Sequence, residues 1–552
     1  MSEIPTTAEG WCEMGGRLIL QGRLEEAIAA CEKSVEMNPT LAESHYNLGI
    51  AWRRLGKIEP AMAGYRRAIR LRPEFADAHN NLGNALRSLG KLDEAVESLK
   101  LAVGLKSDFV EAHNNLGNAL REQGNLDLAI ACFRKAITLR PEANAIWSNL
   151  LYAMHFHRDY DAKRIYKEHR AWAGPLEASL AGEIREHSND RSAGRRLKIG
   201  YVSADFRRHA AANFLLPLLR NHDAGNVEIF CYSGVPRGDA ITAELKRMSP
   251  NWREAFALSD GELAERIRAD GIDILVDLSV HMAGNRLPVF ARRPAPVQIT
   301  WLGYPSTTGL STIDYRLSDG LLDPPGGEEF YSERTIRLPR SFWCYQPLAR
   351  TPEVNGLPAL ENGLVTFGCL NNFAKVNAAV LQCWVECLRG APNSRMLIHS
   401  LEGSHRQRVV ETFERGGVSG ERIEFVGRLE PAEYFRLYHR VDFCLDPFPY
   451  PGHTTLLDGL WMGVPAISMT GPTAVSRGGG AILTHLGLKD WIVGSSQEYV
   501  ARAAEMCGDL AKLSNLRGNL RRKLQMSPLM DGRGFAGELE EVFRKVWRTW
   551  CG

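Results

Sequence analysis

Two different periodicities of apolar residues divide the chain. Residues 1–150 carry apolar side chains at the spacing of amphipathic α-helices. After residue 196, short β-rich runs alternate with helix-length amphipathic segments, as in RLKIGYVS (196–203), VEIFCYS (227–233) and IDILVDLS (272–279). This pattern predicts an all-α region followed by α/β domains with parallel sheets.

The helical region is an internal repeat of 34 residues. Its register is marked by glycines and, in the second half of each unit, by small and then bulkier side chains: Gly15, Gly49, Gly83, Gly117; Ala27, Ala61, Ala95, Ala129; Cys31, Tyr65, Leu99, Phe133. Pro39, Pro73 and Pro141 close three units, and Ser107 takes that place in the fourth. The pattern resembles the tetratricopeptide repeat, in which small residues let two antiparallel helices approach and proline stops the second. We therefore expect a right-handed superhelix over residues 1–150 with a concave inner surface.

One polar position recurs within this register. Asn47, Asn81, Asn115 and Asn149 are spaced by 34 residues, and the first unit has Glu13 there. We call these four residues the asparagine column. An amide offers both a donor and an acceptor, which suits the backbone of a bound peptide. The alternative is that each amide only bonds a neighbouring repeat or solvent.

The remaining chain divides into a connector and two halves. Residues 151–195 continue as helix and end in the polar stretch EHSNDRSAGRR, so we place a helical connector there. Residues 196–355 form a first Rossmann-like half, whose segment 310–360 is rich in Pro and Gly and is predicted to be irregular. Residues 356–552 form a second half, with strands LVTFGCL, SRMLIHS, RIEFVG, VDFCLDP and VPAISM and terminal helices that we expect to pack back across both halves.

Tandem Rossmann-like halves predict a ligand cleft between them. Ligands in open parallel sheets bind at the carboxyl ends of the strands, which face one another across such a cleft. Neither half contains GxGxxG, a Walker A loop or a GxSxG elbow. Dinucleotide oxidoreductases, P-loop nucleotidases and α/β-hydrolases are therefore disfavoured.

The strongest candidate for chemistry is DPFPYPGHTTLLDGLWMGVP. A predicted strand ends at Asp446, and after a Pro/Gly-rich turn His453, Thr454 and Thr455 open a helix. Exposed N–H groups at a helix start receive a diphosphate well, and hydroxyl and imidazole donors would add to them. The alternative is that Thr454 is only an N-cap and Asp458 only a first-turn acid.

Two further motifs lie at predicted strand ends. In FGCLNNFAKVN, Asn371, Asn372 and Lys375 follow a strand, where a cation can neutralise a departing phosphate oxygen. In YVSADFRRHAAANFL, His209 lies at a strand-to-helix turn and is suited to accept a proton from a hydroxyl. His281 is placed similarly. The alternatives are a solvated lysine and structural histidines.

Composition narrows the class of protein. The 552 residues carry a formal net charge of +2, which argues against a nucleic-acid partner. The start has no basic region followed by an apolar run, and no eighteen apolar residues follow one another, so we expect no membrane span and a cytoplasmic location. The eleven scattered Cys fit reduced core thiols, and the absence of a strand-end DxD predicts no metal site.

Several strings occur together in one order along nearly the whole chain: the repeats, RPAPVQITWLGYPSTTG (293–309), DYRLSD (314–319), FYSE (330–333), NNFAK, LDPFPYPGHTT and MGVPAISM. This combination resembles nucleocytoplasmic protein O-GlcNAc transferases and the related spindly-type protein O-fucosyltransferases. The resemblance implies a tetratricopeptide α-superhelix followed by a two-Rossmann (GT-B) glycosyltransferase. It also implies an inverting enzyme that needs no metal or other cofactor and modifies Ser or Thr hydroxyls of proteins held by the repeats.

The resemblance assigns roles by motif. Lys375, with the helix start at His453, Thr454 and Thr455, would stabilise the leaving diphosphate. Asp458 would hold the ribose, and Asn371 and Asn372 would line the phosphate site. Gly303 and Pro305 would lie near the sugar, and His209 matches the family's active-site histidine.

Departures from the animal enzymes bear on the donor. Asn372 replaces a Gln, Tyr450 a small Cys beside the acetamido pocket, Tyr434 a His and Leu437 an Arg, while His453 and Asp458 follow the O-GlcNAc form. UDP-GlcNAc is the first expectation for the donor and GDP-fucose, or another nucleotide hexose, the alternative. A non-catalytic peptide-binding scaffold is the remaining alternative.

Overall fold

The structure, a computed structural model, describes residues 4–552 and contains two compact units. The first unit runs to Ile146 and takes in Leu401–Arg408. The second comprises Trp147–Ser400 and Val409–Gly552. Residues 1–3, with which the predicted repeat region begins, lie outside the described residues.

The first unit consists of helical hairpins. Its helices are α1 (Ala8–Leu20), α2 (Leu24–Met37), α3 (Ala42–Arg54), α4 (Ile58–Leu71), α5 (Ala76–Ser88), α6 (Leu92–Leu105), α7 (Val110–Glu122) and α8 (Leu126–Leu139). Each odd-numbered helix packs most closely against the helix that follows it. The three predicted prolines each lie two residues beyond the second helix of a hairpin, so the repeat prediction is confirmed.

Glycine permits the close approach of the two helices in each hairpin. A Cβ built at Gly117 would lie 2.6 Å from Cε1 of Phe133, which is closer than real contacts allow. The same conflict arises in every hairpin, and the pairs are Gly15 with Cys31, Gly49 with Tyr65, Gly83 with Leu99 and Gly117 with Phe133. The sequence register predicted the two series of residues, and the structure shows that their members lie opposite one another.

The first unit also contains a short segment from the second α/β half. The backbone N–H of Ser404 donates to Asp93 at 2.6 Å, and its hydroxyl donates to the same carboxylate at 2.9 Å. Leu401–Arg408 therefore groups with the repeats, although it lies within the predicted second half, 356–552. The segment Leu401–Arg408 is held by polar contacts with a distant part of the chain. The pattern of apolar residues therefore does not distinguish it from its neighbours.

Two helices precede the first sheet, α9 (Asn144–Met154) and α10 (Ala162–Leu180). Helix α9 belongs to the second unit from Trp147 onward. Helix α10 lies within the predicted helical connector and packs against the first α/β half. The first sheet has seven parallel strands in the order β3-β2-β1-β4-β5-β6-β7. They are β1 (Leu197–Ser203), β2 (Val227–Ser233), β3 (Asn251–Glu254), β4 (Ile274–Asp277), β5 (Val297–Thr300), β6 (Tyr315–Asp319) and β7 (Arg334–Leu338).

The prediction that 310–360 is irregular was wrong for two segments. Strands β6 and β7 extend the first sheet there. Strand β6 does not look apolar because Arg316, Ser318 and Asp319 are buried polar residues. Arg316 is paired with Asp323, which allows its charge inside the protein. The helices of this half are α11 (Ala212–Asn221), α12 (Ala240–Met248), α13 (Asp260–Asp270) and α14 (Leu287–Ala291).

The second sheet has six parallel strands in the order β10-β9-β8-β11-β12-β13. They are β8 (Val365–Cys369), β9 (Ser394–His399), β10 (Ile423–Val426), β11 (Phe443–Leu445), β12 (Ala466–Met469) and β13 (Ile492–Val493). The five predicted strands are present, and the two-residue β13 was missed. The helices are α15 (Pro358–Asn362), α16 (Ala378–Gly390), α17 (Ser404–Arg415), α18 (Pro431–Leu437), α19 (Thr454–Trp461) and α20 (Ala474–His485).

The terminal helices join the two halves of the second unit. They are α21 (Ser496–Gly508), α22 (Leu510–Gln525) and α23 (Gly532–Cys551). Helices α21 and α22 pack on the second half, through α16 and α19, and α23 packs on α11 and β5 of the first half. One continuous apolar core includes residues of both sheets, which holds their carboxyl edges in a fixed relation. Among residues 4–552, no helix has both the length and the apolar character needed to cross a bilayer.

The hairpin packing gives a test with a matched control. Gly117→Ala should destabilise the repeats by about 1–3 kcal/mol, because Phe133 has to move out of its packed position. Gly104→Ala should be neutral or stabilising by about 0.5–1 kcal/mol, because Gly104 lies in α6 with no atom near its missing Cβ. Scanning calorimetry of the full chain measures both changes. Equal shifts in the two variants would contradict the packing role of Gly117.

Candidate active site

A cavity of about 220 Å³ lies in the second unit where strands of both sheets end. Its walls come from the segments after β1, β4 and β5 on one side and after β8 and β11 on the other. Eight predicted site residues line it: His209, Gly303, Asn371, Asn372, Lys375, His453, Thr454 and Thr455. The structure therefore brings together the three motifs that were weighed separately in the sequence.

Lys375 ends a short 3-10 turn, Phe373–Lys375, directly after β8. Its amine donates to the carbonyl oxygen of Pro451 at 2.7 Å and lies 4.1 Å from the ring centre of Tyr450. Burial of the amine lowers the pKa of Lys375 to about 8, and the nearby Asp446 carboxylate opposes that shift. The amine is therefore mostly protonated at pH 7, and it is not the surface lysine that the alternative required.

Asn371 connects Lys375 to the start of α19. Its side-chain oxygen accepts from the Lys375 amine at 3.4 Å and from the Thr455 hydroxyl at 2.9 Å. Its amide nitrogen donates to Asp446 at 3.2 Å. Asn372 caps the 3-10 turn by accepting from Ala374 N–H at 3.0 Å, so it shapes the loop that carries the amine.

Helix α19 has an open N-terminus at the cavity. Its N-cap residue is His453, which makes no side-chain capping bond, so Thr454 is not the N-cap that the alternative proposed. The first-turn N–H groups have no intrahelical acceptors and carry the positive end of the helix dipole. Thr454 and Thr455 line the cavity at this turn. The arrangement suits an anion.

The expectation that the His453 imidazole donates to a phosphate needs correction. Its Nε2 lies 3.2 Å from the carbonyl oxygen of Val475, which only accepts, so Nε2 carries the proton of the neutral ring. Burial, together with the Lys375 charge, lowers the pKa of His453 to about 3. The cavity-lining imidazole is thus neutral with an acceptor Nδ1, and the donors to an anion are the Lys375 amine and the α19 N–H groups.

His209 lies in the turn between β1 and α11. Its Nδ1 accepts from Ala211 N–H at 3.2 Å and is 3.6 Å from an Asp205 carboxylate oxygen. Burial lowers the pKa of His209, and Asp205 acts in the opposite direction. In this neutral tautomer Nε2 carries the proton, so accepting another at Nδ1 requires loss of the Ala211 bond. The role of His209 as proton acceptor stays a prediction.

Two predicted donor-binding residues do not line the cavity. Asp458 is buried, and its two oxygens accept from the hydroxyls of Tyr345 at 2.6 Å and Tyr434 at 2.9 Å. Burial raises the pKa of Asp458 to about 6. A ribose hydroxyl would have to share or replace one of these phenols, and the ribose role stays a prediction. Pro305 also lies outside the lining, although Gly303 of the same loop is part of it.

His281 belongs to the core rather than the cavity. Its Nε2 donates to the carbonyl oxygen of Thr308 at 2.8 Å, and its ring packs edge-on against Trp172. Burial lowers its pKa well below the ordinary histidine value. The structural alternative is therefore correct for His281.

The asparagine column bonds across repeats. Asn81 donates to the Tyr46 hydroxyl at 3.0 Å, Asn115 to the Asn80 side chain at 2.8 Å, and Asn47 makes a longer contact of 3.4 Å with the Cys12 carbonyl oxygen. Each of these three donor groups therefore bonds the preceding repeat, as the alternative interpretation stated. Asn149 lies in the second unit. The side-chain oxygen of Asn81 also accepts a bond, from the Asn80 amide at 3.3 Å. Peptide binding by this column stays a prediction.

Sequence reasoning missed three residues around the cavity. Trp343 lines it and packs against His453, with ring centroids 5.3 Å apart, and Tyr152 lines it from α9. Neither residue belongs to a motif named in the sequence. Asp446 was identified only as a strand end, although an acid directly after a buried strand is the usual position for a site residue. Among residues 4–552, no group of three or more His, Cys, Asp or Glu is arranged to hold a metal ion.

Comparisons with known proteins agree with this architecture. The profile of the family described as Glycosyl transferase family 41 matches residues 179–347 and 346–539. Profiles of tetratricopeptide repeats match residues 8–41, 51–86, 83–120 and 110–142.

Similar proteins carry sugar-transferase names. A Petunia hybrida protein named "Probable UDP-N-acetylglucosamine--peptide N-acetylglucosaminyltransferase SPINDLY" is 36% identical over 419 residues, which are 74% of this chain and 45% of that protein. The Arabidopsis thaliana protein of the same class named SEC is 29% identical over 367 residues, 65% of this chain and 38% of the other. This chain thus spans less than half the length of these relatives.

A solved structure of similar size superposes on most of the chain. It is a mutant form of the Thermobaculum terrenum O-GlcNAc transferase, 34% identical, with a TM-score of 0.85 over 92% of this chain and 98% of the other. The two-sheet architecture preceded by helical repeats is therefore shared with that protein.

The environment of Lys375 predicts a measurable acidity. Its amine should lose its proton with a midpoint near pH 8, whereas a lysine in an unfolded chain titrates near about 10.4. Trace acetylation between pH 6 and 11, quantified for the Lys375 peptide by mass spectrometry, should show reactivity rising through pH 8 in the folded protein. The urea-unfolded chain is the control. Identical midpoints in the two states would contradict burial of the amine.

Proposed function

The chain belongs to glycosyl transferase family 41, and from that premise we propose that it transfers a sugar from a nucleotide-sugar donor to Ser or Thr hydroxyls of proteins. One observation carries the proposal: the Lys375 amine and the open N-terminus of α19 line the same cavity. A nucleoside diphosphate leaving group develops negative charge, and a cation beside free N–H groups stabilises that charge.

The reaction follows from this arrangement. The acceptor oxygen attacks the anomeric carbon as the bond from that carbon to the phosphate oxygen breaks, and the electron pair stays on the diphosphate. Attack on the face opposite the leaving group inverts the anomeric centre. The Lys375 ammonium and the α19 N–H groups stabilise the departing diphosphate, so the proposed mechanism uses no metal and no further cofactor. The hydroxyl proton leaves to His209, after it releases Ala211, or to solvent.

We propose UDP-GlcNAc as the donor. The names of the SPINDLY and SEC relatives and of the Thermobaculum protein support this choice. GDP-fucose or another nucleotide hexose is the second candidate, and the aromatic wall of the cavity favours it. Tyr450 is 6% exposed and packs against Phe156 and His453, with each pair of ring centroids 5.2 Å apart. A fixed phenol ring there leaves less room for an N-acetyl group.

Calorimetry with UDP and GDP separates these donors, because only the matching nucleotide should bind tightly. Incubation of the purified protein with a panel of radiolabelled nucleotide sugars and host lysate then identifies the sugar transferred. A protein that binds neither nucleotide would be a peptide-binding scaffold, and the proposed activity would be wrong.

Replacing the amine tests its assigned role. Lys375→Ala should lower kcat by roughly 10²–10³-fold, because one charged donor to the leaving group is lost, while donor binding stays measurable. Lys512→Ala, on α22 and half exposed, is the control and should keep full activity. Radiolabelled transfer and donor calorimetry are measured on both variants. Unchanged turnover in Lys375→Ala would remove Lys375 from this role.

We further propose that the repeats bind the protein acceptor through the asparagine column. Replacing Asn81, Asn115 and Asn149 by Ala together should raise KM for protein acceptors several-fold and leave the affinity for free nucleotide unchanged. Asn519→Ala, which removes an exposed amide bonded only within α22, is the control. Melting curves of the variants measure the stability lost with the hydrogen bonds between repeats, so that this loss can be separated from a loss of binding. Equal losses for protein and nucleotide would contradict peptide binding by the column.

A further inference from the structure

Asp446 is a buried carboxylate at the carboxyl end of β11, and nothing so far assigns it a function. It is 2% exposed. One oxygen accepts from Gly452 N–H at 2.8 Å and from the Asn371 amide at 3.2 Å, and the other accepts from the Ser468 hydroxyl at 3.0 Å. These three donors come from the loop after β8, the turn before α19 and strand β12. One side chain therefore joins the segments that carry the candidate diphosphate site.

The carboxylate also decides which way the Asn371 amide points. An ionised carboxylate only accepts hydrogen bonds, so it selects the NH₂ end of the amide. The amide oxygen is then turned toward the Lys375 amine and the Thr455 hydroxyl, both of which donate to it. With the amide reversed, an NH₂ group would face the ammonium and both contacts would be lost.

We propose that Asp446 is a positioning residue that holds Lys375 and the start of α19 in their diphosphate-binding arrangement, by fixing the Asn371 amide and the Gly452 backbone. The inference rests on the proposed function and deepens it, because it names what keeps the anion site assembled before the donor arrives. Asp446 acts through these neighbours and makes no bond to the leaving group itself.

The test is Asp446→Asn, with Asp442→Asn as the matched control. Asp442 immediately precedes β11, is fully buried, and accepts from the backbone N–H groups of Ala359 and Thr366 away from the cavity. The probe is UDP or GDP, whichever the wild type binds more tightly by calorimetry. Asp446→Asn should weaken binding about 10–100-fold, by analogy with metal sites, where removing the group that orients a ligating side chain has an effect of this size. Asp442→Asn should bind like the wild type.

A double-mutant cycle with Lys375→Ala distinguishes positioning from general destabilisation. If Asp446 acts on the amine, Asp446→Asn should cost much less affinity in the Lys375→Ala background than in the wild type, because coupled residues are not additive. If the fold-loss in affinity of the double variant equals the product of the fold-losses of the two single variants, the two residues act independently. That result would overturn the assignment.

The pH dependence of binding gives a readout that a purely structural role would not move. The titratable groups around the amine are Asp446, Cys369, Tyr450 and His453, with His209 on the opposite wall. The Asp446 charge raises the pKa of Lys375, which burial lowers. Affinity for the diphosphate should fall as pH rises through about 8 in the wild type, and the fall should begin at lower pH in Asp446→Asn. Superimposable profiles would contradict the proposal.

Each remaining outcome has a defined meaning. Should Asp446→Asn fail to fold, Asn371→Ala takes its place in the same cycle, because it cuts the link to Lys375 and leaves the bonds from Gly452 and Ser468. Additive losses there would equally overturn the assignment. If the wild type binds neither nucleotide, the proposed function fails and this inference with it. If the wild type binds and Asp446→Asn binds equally well, only the inference fails.

Discussion

The proposed activity depends on keeping one ammonium group, that of Lys375, charged at the wall of a cavity inside the protein. Burial lowers the pKa of Lys375 to about 8, and the carboxylate of Asp446 opposes that shift. The amine also donates to the carbonyl oxygen of Pro451 at 2.7 Å. A charge held this way interacts strongly with an arriving anion, because the effective dielectric is lower than in bulk water. The open N-terminus of α19 would add donors that need no reorganisation when the proposed diphosphate binds.

The fold brings the Lys375 amine and the start of α19 together because two parallel sheets have their carboxyl ends at one cavity. The helices after the second sheet return to both halves, and α23 closes on α11 and β5. The common core that results keeps the walls of the cavity in register. In the first unit, a glycine opposite a bulkier side chain sets how closely the two helices of each hairpin pack.

Much of this was predictable from the sequence because local spacing encodes it. The 34-residue register identified the glycines and the bulkier side chains of each repeat. The strand-end motifs identified seven residues that line the cavity, and the family resemblance identified Gly303. Strand β6 was not predicted because Arg316 and Asp319 are buried polar residues. The periodicity of apolar residues does not show which groups such residues pair with. Trp343 and Asp446 were not predicted as site residues because their roles arise from contacts between segments that are distant in the sequence. The tautomer of His453, with the proton on Nε2, follows from one carbonyl group, that of Val475, which no motif specifies.

The central claim is that the cavity binds its nucleotide mainly through the diphosphate and not through the nucleoside. Paired calorimetric titrations test this claim most directly. The wild type is titrated with the nucleoside diphosphate it prefers and with the corresponding monophosphate. Since each charge-assisted hydrogen bond contributes about 1.5–3 kcal/mol, loss of the second phosphate should weaken binding by about 100-fold or more. Equal affinities for the two nucleotides would contradict the account.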